Sequence, residues 1–177
     1  MLAVVICFGC CETAGAKAFT YKNPVKDPDI HVDIHNPDKT WRGTTLPANN
    51  HRPERPRIIE VNMHGQIVWE YVLPFYLKGY TNPGFDVEWV HNNNILFVLP
   101  RKGVYEIDRS GKTVLSYMDS KVTHDADRLP KCNTLIVCGG RDEKYQAQVK
   151  EVRQKICQLL KPSMKRRMNT TWLRLEG

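Results

Sequence analysis

Past its first eleven residues the chain has no long apolar run, and eleven are too few to cross a bilayer as a helix, which takes about 20. A membrane span is therefore not expected. No cysteine stands in a paired ligand spacing with a histidine, so a zinc or other metal centre is not expected either. Glycine-rich phosphate loops and a serine nucleophile elbow are also missing. Neither a metal nor an organic cofactor is called for. Positive charge is scarce where a nucleic-acid binder would need it. The formal net charge is +7, but residues 141–177 hold ten Lys or Arg against four Asp or Glu, while the first 140 residues balance at +1. A basic surface tracking a phosphate backbone is absent from the body of the chain, so no nucleic-acid partner is expected.

What the chain does have is an internal repeat. Glu60-Val61, Glu106-Ile107 and Glu151-Val152 recur 46 and 45 residues apart. Around the first two, Ile59 to Tyr71 aligns with Tyr105 to Tyr117, each reading as strand, glycine turn, strand, with Gly65 and Gly111 where a hairpin needs positive φ. A second pair of segments, Phe85 to Leu96 and His124 to Leu135, aligns at an offset of 39. Four short strands in about 40–45 residues is the pattern of a propeller blade and excludes a solenoid of helix pairs. The runs Ile67-Val68-Trp69, Ile95 to Leu99 and Thr134 to Val137 are continuously apolar, as strands covered on both faces are. Trp69, Trp89, Tyr71 and Tyr117 recur at repeat positions and are expected to pack blade against blade.

The expected fold class is all-β, an incomplete β-propeller of about two to three four-stranded blades, since closed rings take about four to eight. Residues 1–16 form an apolar leader or signal peptide, with small residues at Ala14-Gly15-Ala16 that would direct the chain to a secreted or periplasmic location. Residues 17–57, with six prolines, read as loop plus a partial first blade. Blades follow at 58–99 and 100–140. Residues 141–177 start a further blade at Val149 to Val152 and diverge into a basic tail, where Val149, Val152, Ile156, Leu159 and Leu160 fall at helical spacing. An unclosed stack leaves apolar outer faces, which favours self-association through them. Cleavage after Ala16 would leave three cysteines, an odd number. Cys132 and Cys138 end one strand and stand about 20 Å apart, too far for a disulfide.

The segment His124-Asp125-Ala126-Asp127-Arg128-Leu129-Pro130-Lys131-Cys132-Asn133-Thr134-Leu135, with Asn36-Pro37, Gly43 to Leu46 and Gly65 to Tyr71, resembles the arylsulfate sulfotransferase family of propeller proteins over about residues 36–152. The resemblance implies transfer of a sulfuryl group from a phenolic sulfate ester to a phenol acceptor through a sulfated histidine, with further cations holding the sulfate oxygens. The chemistry is sound, because neutral imidazole is nucleophilic and a guanidinium stabilises charge on equatorial oxygens. His124 stands at the nucleophile's position. Arg141 is the candidate for the oxyanion-holding arginine, with Arg128 competing. Phe85 replaces the imidazole in the preceding repeat, which removes both nucleophile and donor there. The alternative is a non-catalytic propeller-like binding module or remnant, in which Asp125, Asp127 and Glu88 are architectural. His31 and His35 are expected in extended chain, exposed and without a metal.

Overall fold

The computed structural model describes residues 17–33, 36, 38–40, 42–90, 93–130, 133–139 and 147–152. The leader, the helical-spacing tail beyond Val152, and the positions of His35, His91, Cys132 and Arg141 lie outside the described residues. Three antiparallel sheets follow one another along the chain, in keeping with the all-β expectation. The first has the order β1 (Lys17–Lys26), β5 (Gln66–Val72), β4 (Arg57–Asn62), β2 (Thr44–Thr45), with β3 (Ala48–Asn49) also on β4. The second is a four-stranded meander of β6 (Asp86–Trp89), β7 (Ile95–Leu99), β8 (Gly103–Ile107) and β9 (Thr113–Met118). The third runs β10 (Val122–Arg128), β11 (Thr134–Cys138), β12 (Gln148–Val152). A short 3-10 helix, Phe75–Tyr80, joins the first sheet to the second.

The repeat is visible down to single hydrogen bonds. Asn62 Oδ1 accepts the backbone N–H of His64 and of Gln66, and the Gly65 N–H reaches the Asn62 carbonyl. Forty-six residues on, Asp108 Oδ1 accepts from Ser110 and Lys112, and the Gly111 N–H reaches the Asp108 carbonyl. Both glycines have left-handed backbone, φ 71° and 83°, which Asx-type turns of this kind require at no steric cost only from glycine. The repeat and the sheets are nevertheless framed differently. β4 and β5 match β8 and β9, which close their sheet, whereas β6 and β10 open theirs. Residues 58–99 thus draw strands from two sheets, and Gln148–Val152 is the third strand of the sheet that starts at Val122.

Two cores hold the sheets together. Side chains on one strand point alternately to opposite faces, and β7 shows what this does in the middle sheet: Ile95, Phe97 and Leu99 enter a core shared with sheet 1, while Leu96 and Val98 enter one shared with sheet 3. All five are buried. Its neighbour β8 is buried along its length for the same reason. Among the described residues the outer face of sheet 3 is only partly covered, so β11 alternates between buried and half-buried residues rather than burying its whole apolar run. The first core is aromatic, with Trp69, Tyr71, Phe97 and Tyr105 in a chain of ring contacts at 6.5, 6.1 and 5.3 Å. The second is aliphatic, built from Leu96, Val98, Val104, Val122, Ala126, Ile136 and Cys138.

One element departs from the sequence reading. The stretch after residue 16 is a ten-residue strand rather than loop: β1 pairs along β5 from Lys17↔Val72 to Lys26↔Gln66, with an irregularity between Thr20 and Val25. Its residues are mostly exposed on both faces, so no period-2 pattern marked it. On the outer side of sheet 1, Glu70 takes hydrogen bonds from Tyr21, Arg55 and Arg57, and Arg57 also reaches Asp27 at 2.6 Å. Burial alone would raise the Asp27 carboxyl, but the Arg57 guanidinium holds it below the usual carboxylate range.

Candidate functional site

The opening strands of the second and third sheets, β6 and β10, lie against one another and carry most of the chemistry-bearing residues. His124 sits on β10 where its pairing with β11 slips: Val122 faces Cys138 and Ala126 faces Ile136, so β10 spends four residues while β11 spends two. Such a bulge re-aims side chains. Thr123 turns its hydroxyl to the Val137 carbonyl at 2.9 Å, Ala126 goes into the core, and His124 and Asp125 remain exposed. The imidazole is thus presented to solvent on a strand whose position the buried Val122 and Ala126 secure.

Its strand neighbours Asp125 and Asp127 interact with two acids on β6. On β6, Val87 packs toward sheet 1, which turns Asp86 and Glu88 toward sheet 3. Burial raises the Asp86 carboxyl above its ordinary value, and the charges of Asp125 and Asp127 push it further. Glu88 is raised by burial and then by Asp127 and Asp86, although the Arg128 N–H donates to its Oε1 at 2.9 Å. Among the described residues no group of three or more His, Cys, Asp or Glu has the arrangement of a metal site.

The arginines sort differently from the sequence reading. Arg128 is a buried side chain whose guanidinium pairs with the buried carboxylate of Glu106, which also accepts from Asn94 at 2.7 Å. It serves the junction of sheets 2 and 3 rather than an anion at the surface. Arg141 lies outside the described residues. His31, His51 and His64 are exposed. Of the four recurring aromatics, Trp69 and Tyr71 pack in the first core and Tyr117 against the second, whereas Trp89 is 40% exposed and lies over Arg109 of its own sheet.

A second cluster was not anticipated. Arg109, in the turn after β8, lies between two indoles, with its Cζ 4.5 Å from the Trp69 ring centre and 5.0 Å from that of Trp89. It pairs with Glu60 of sheet 1 at 2.6 Å, and its backbone carbonyl accepts the Trp69 indole N–H at 3.0 Å. A cavity of about 280 Å³ lined by Glu60, Trp89, Asn93 and Arg109 opens beside it. The sequence did hold a signal for this cluster. Glu60 and Glu106 occupy the same repeat position on half-buried or buried strands, and each takes an arginine from the following sheet, Arg109 or Arg128. A carboxylate repeated inside an apolar strand implies a repeated cation.

No protein-family model matches the chain, and neither a curated protein nor a solved structure matches it significantly.

Proposed function

We propose that these sheets are blades of a β-propeller of the arylsulfate sulfotransferase type, and that His124 accepts a sulfuryl group from a phenolic sulfate ester. The neutral imidazole nitrogen attacks sulfur as the sulfur–oxygen bond to the phenol breaks. The phenolate leaves and takes a proton from solvent, while the imidazole keeps the sulfuryl group. An acceptor phenol then attacks the same sulfur, the sulfur–nitrogen bond breaks, and the acceptor's proton passes to a nearby carboxylate, of which Asp125 is adjacent in sequence. The observation that carries this reading is the exposure of His124 on the opening strand of the third sheet, with the resembling His-Asp segment around it. Turnover of a chromogenic phenyl sulfate by the chain is expected, with loss of at least a hundredfold in His124→Ala, in line with removal of a covalent nucleophile. Unchanged turnover in that variant would remove His124 from the mechanism.

A second reading, a non-catalytic propeller-like binding module, is favoured by the charge around His124. Asp86, Glu88, Asp125 and Asp127 oppose an incoming sulfate ester, the nearby Arg128 is committed to Glu106, and Phe85 is a core residue where the neighbouring repeat has the imidazole. No turnover in either protein would support it.

A further inference from the structure

The outer face of sheet 3 parallels the face that sheet 2 buries, with Asp127 in place of Glu88. In sheet 2, Glu88, Leu96 and Glu106 form one row across β6, β7 and β8, and Val98 and Val104 form the next. In sheet 3, Asp127, Leu135 and Glu151 form the corresponding row across β10, β11 and β12, with Val137 and Val149 beside it. Directly opposed residues of antiparallel strands share a face. The first set is covered by sheet 3. Of the second, Leu135 and Val137 are half-buried and Val149 is 66% exposed.

The opposite end of the stack offers the matching partner. Ile59 and Val61 on β4 stand one repeat before Tyr105 and Ile107, the residues that sheet 2 turns toward its preceding sheet. Ile59 is buried and Val61 half-buried beneath an open groove of about 420 Å³ on the outer side of sheet 1, whose walls include Asp29, His31, Pro47 and His51. Asp29 in the groove wall is already paired with Arg52 at 2.6 Å, and the two histidines supply ring N–H donors where Asp127 and Glu151 supply acceptors around an apolar centre. Pairing two copies of the sheet 3 face with one another is disfavoured, since it would set Asp127 and Glu151 against their own kind.

We infer that two copies of this chain associate head to tail, the outer face of sheet 3 in each resting in the groove on sheet 1 of the other. The contact occurs twice and closes six sheets into one ring, a number within the range that propellers use. The inference rests on the stacked-blade part of the proposed function and not on sulfuryl transfer, so a dimer without turnover would leave it standing.

Light scattering on the size-fractionated full chain across about 1–100 μM is the test. It should give twice 20.5 kDa. Val149→Glu on one face and Val61→Glu on the other should each weaken association at least tenfold. An equimolar mixture of the two variants should recover dimer, because one of its two contacts is then free of both substitutions. His31→Glu, at an exposed residue, replaces Val61→Glu if that variant fails to fold. A monomer at 100 μM, an open polymer, or a dimer that ignores the groove variants would each overturn the inference.

Discussion

The two junctions between sheets are built from different materials. Sheets 1 and 2 meet through large rings set among Ile and Leu, and the arginine that joins them, Arg109, is about one-third exposed and held between indoles. Sheets 2 and 3 meet through Val, Ile, Leu, Ala and Cys, and their arginine, Arg128, is 5% exposed against a carboxylate 7% exposed. A junction with large rings buries much apolar area at each position and can leave its ion pair in partial contact with water. One with small side chains brings the sheets' polar row into a dry seam, where each charge must be matched. The same repeat position, Glu60 or Glu106, thus serves a half-open pair in one place and a buried pair in the other.

Substitutions can break this contrast in order of expected effect. Arg128→Ala leaves Glu106 buried without its cation and should cost about 3–5 kcal/mol, read by urea denaturation. Phe97→Ala should cost a similar amount, about 3–5 kcal/mol, by opening the aromatic core. Its sequence neighbour Val98 faces the other junction, and Val98→Ala should cost about 1.5–2 kcal/mol for the two carbons removed. Equal costs at 97 and 98 would mean that the junctions are not distinct. Arg109→Ala should be milder than Arg128→Ala, about 1–2 kcal/mol, because its ion pair is partly solvated and the cation–π contacts are modest. If Arg109→Ala proved the costlier of the two arginine variants, exposure would not be what separates them.

The smallest effect concerns pH. Asp86 and Glu88 border the second junction with carboxyls raised by burial and by neighbouring acids. A carboxyl whose folded value is raised contributes stability that is fully present below about pH 4, its unfolded range, and is lost as pH rises through the folded value. Asp86→Asn keeps that position neutral throughout. The variant should therefore melt higher than the parent at pH 7 and show no advantage near pH 4. A uniform shift at both pH values would assign the change to packing instead of charge.

Much of the fold was legible because its signals are local. The turns at Gly65 and Gly111 depend on residues three to four apart, so an Asn or Asp followed by glycine announces them. The β7 run Ile95 to Leu99 announced burial on two sides, and the middle sheet has it. Thr134 to Val137 carried the same message, but among the described residues only one face of sheet 3 is fully covered, a fact no strand records about itself. β1 escaped notice because both of its faces meet solvent and its residues show no alternation. His124 and its acidic neighbours were legible as a motif. That Arg128 is buried against Glu106, and that Arg109 is clasped by Trp69 and Trp89, was not, since these partners lie 20 to 40 residues apart and meet only when strands pair and sheets stack.

By itself, the order of residues determined that this chain forms short antiparallel strands in repeating groups, because alternation, turn glycines and Asx turns act over a few positions. Which strands share a sheet, which face of each sheet is covered, and which cations the repeated glutamates receive were decided by stacking. Those outcomes depend on distances between elements far apart in sequence, and burial then sets whether a charge must be paired.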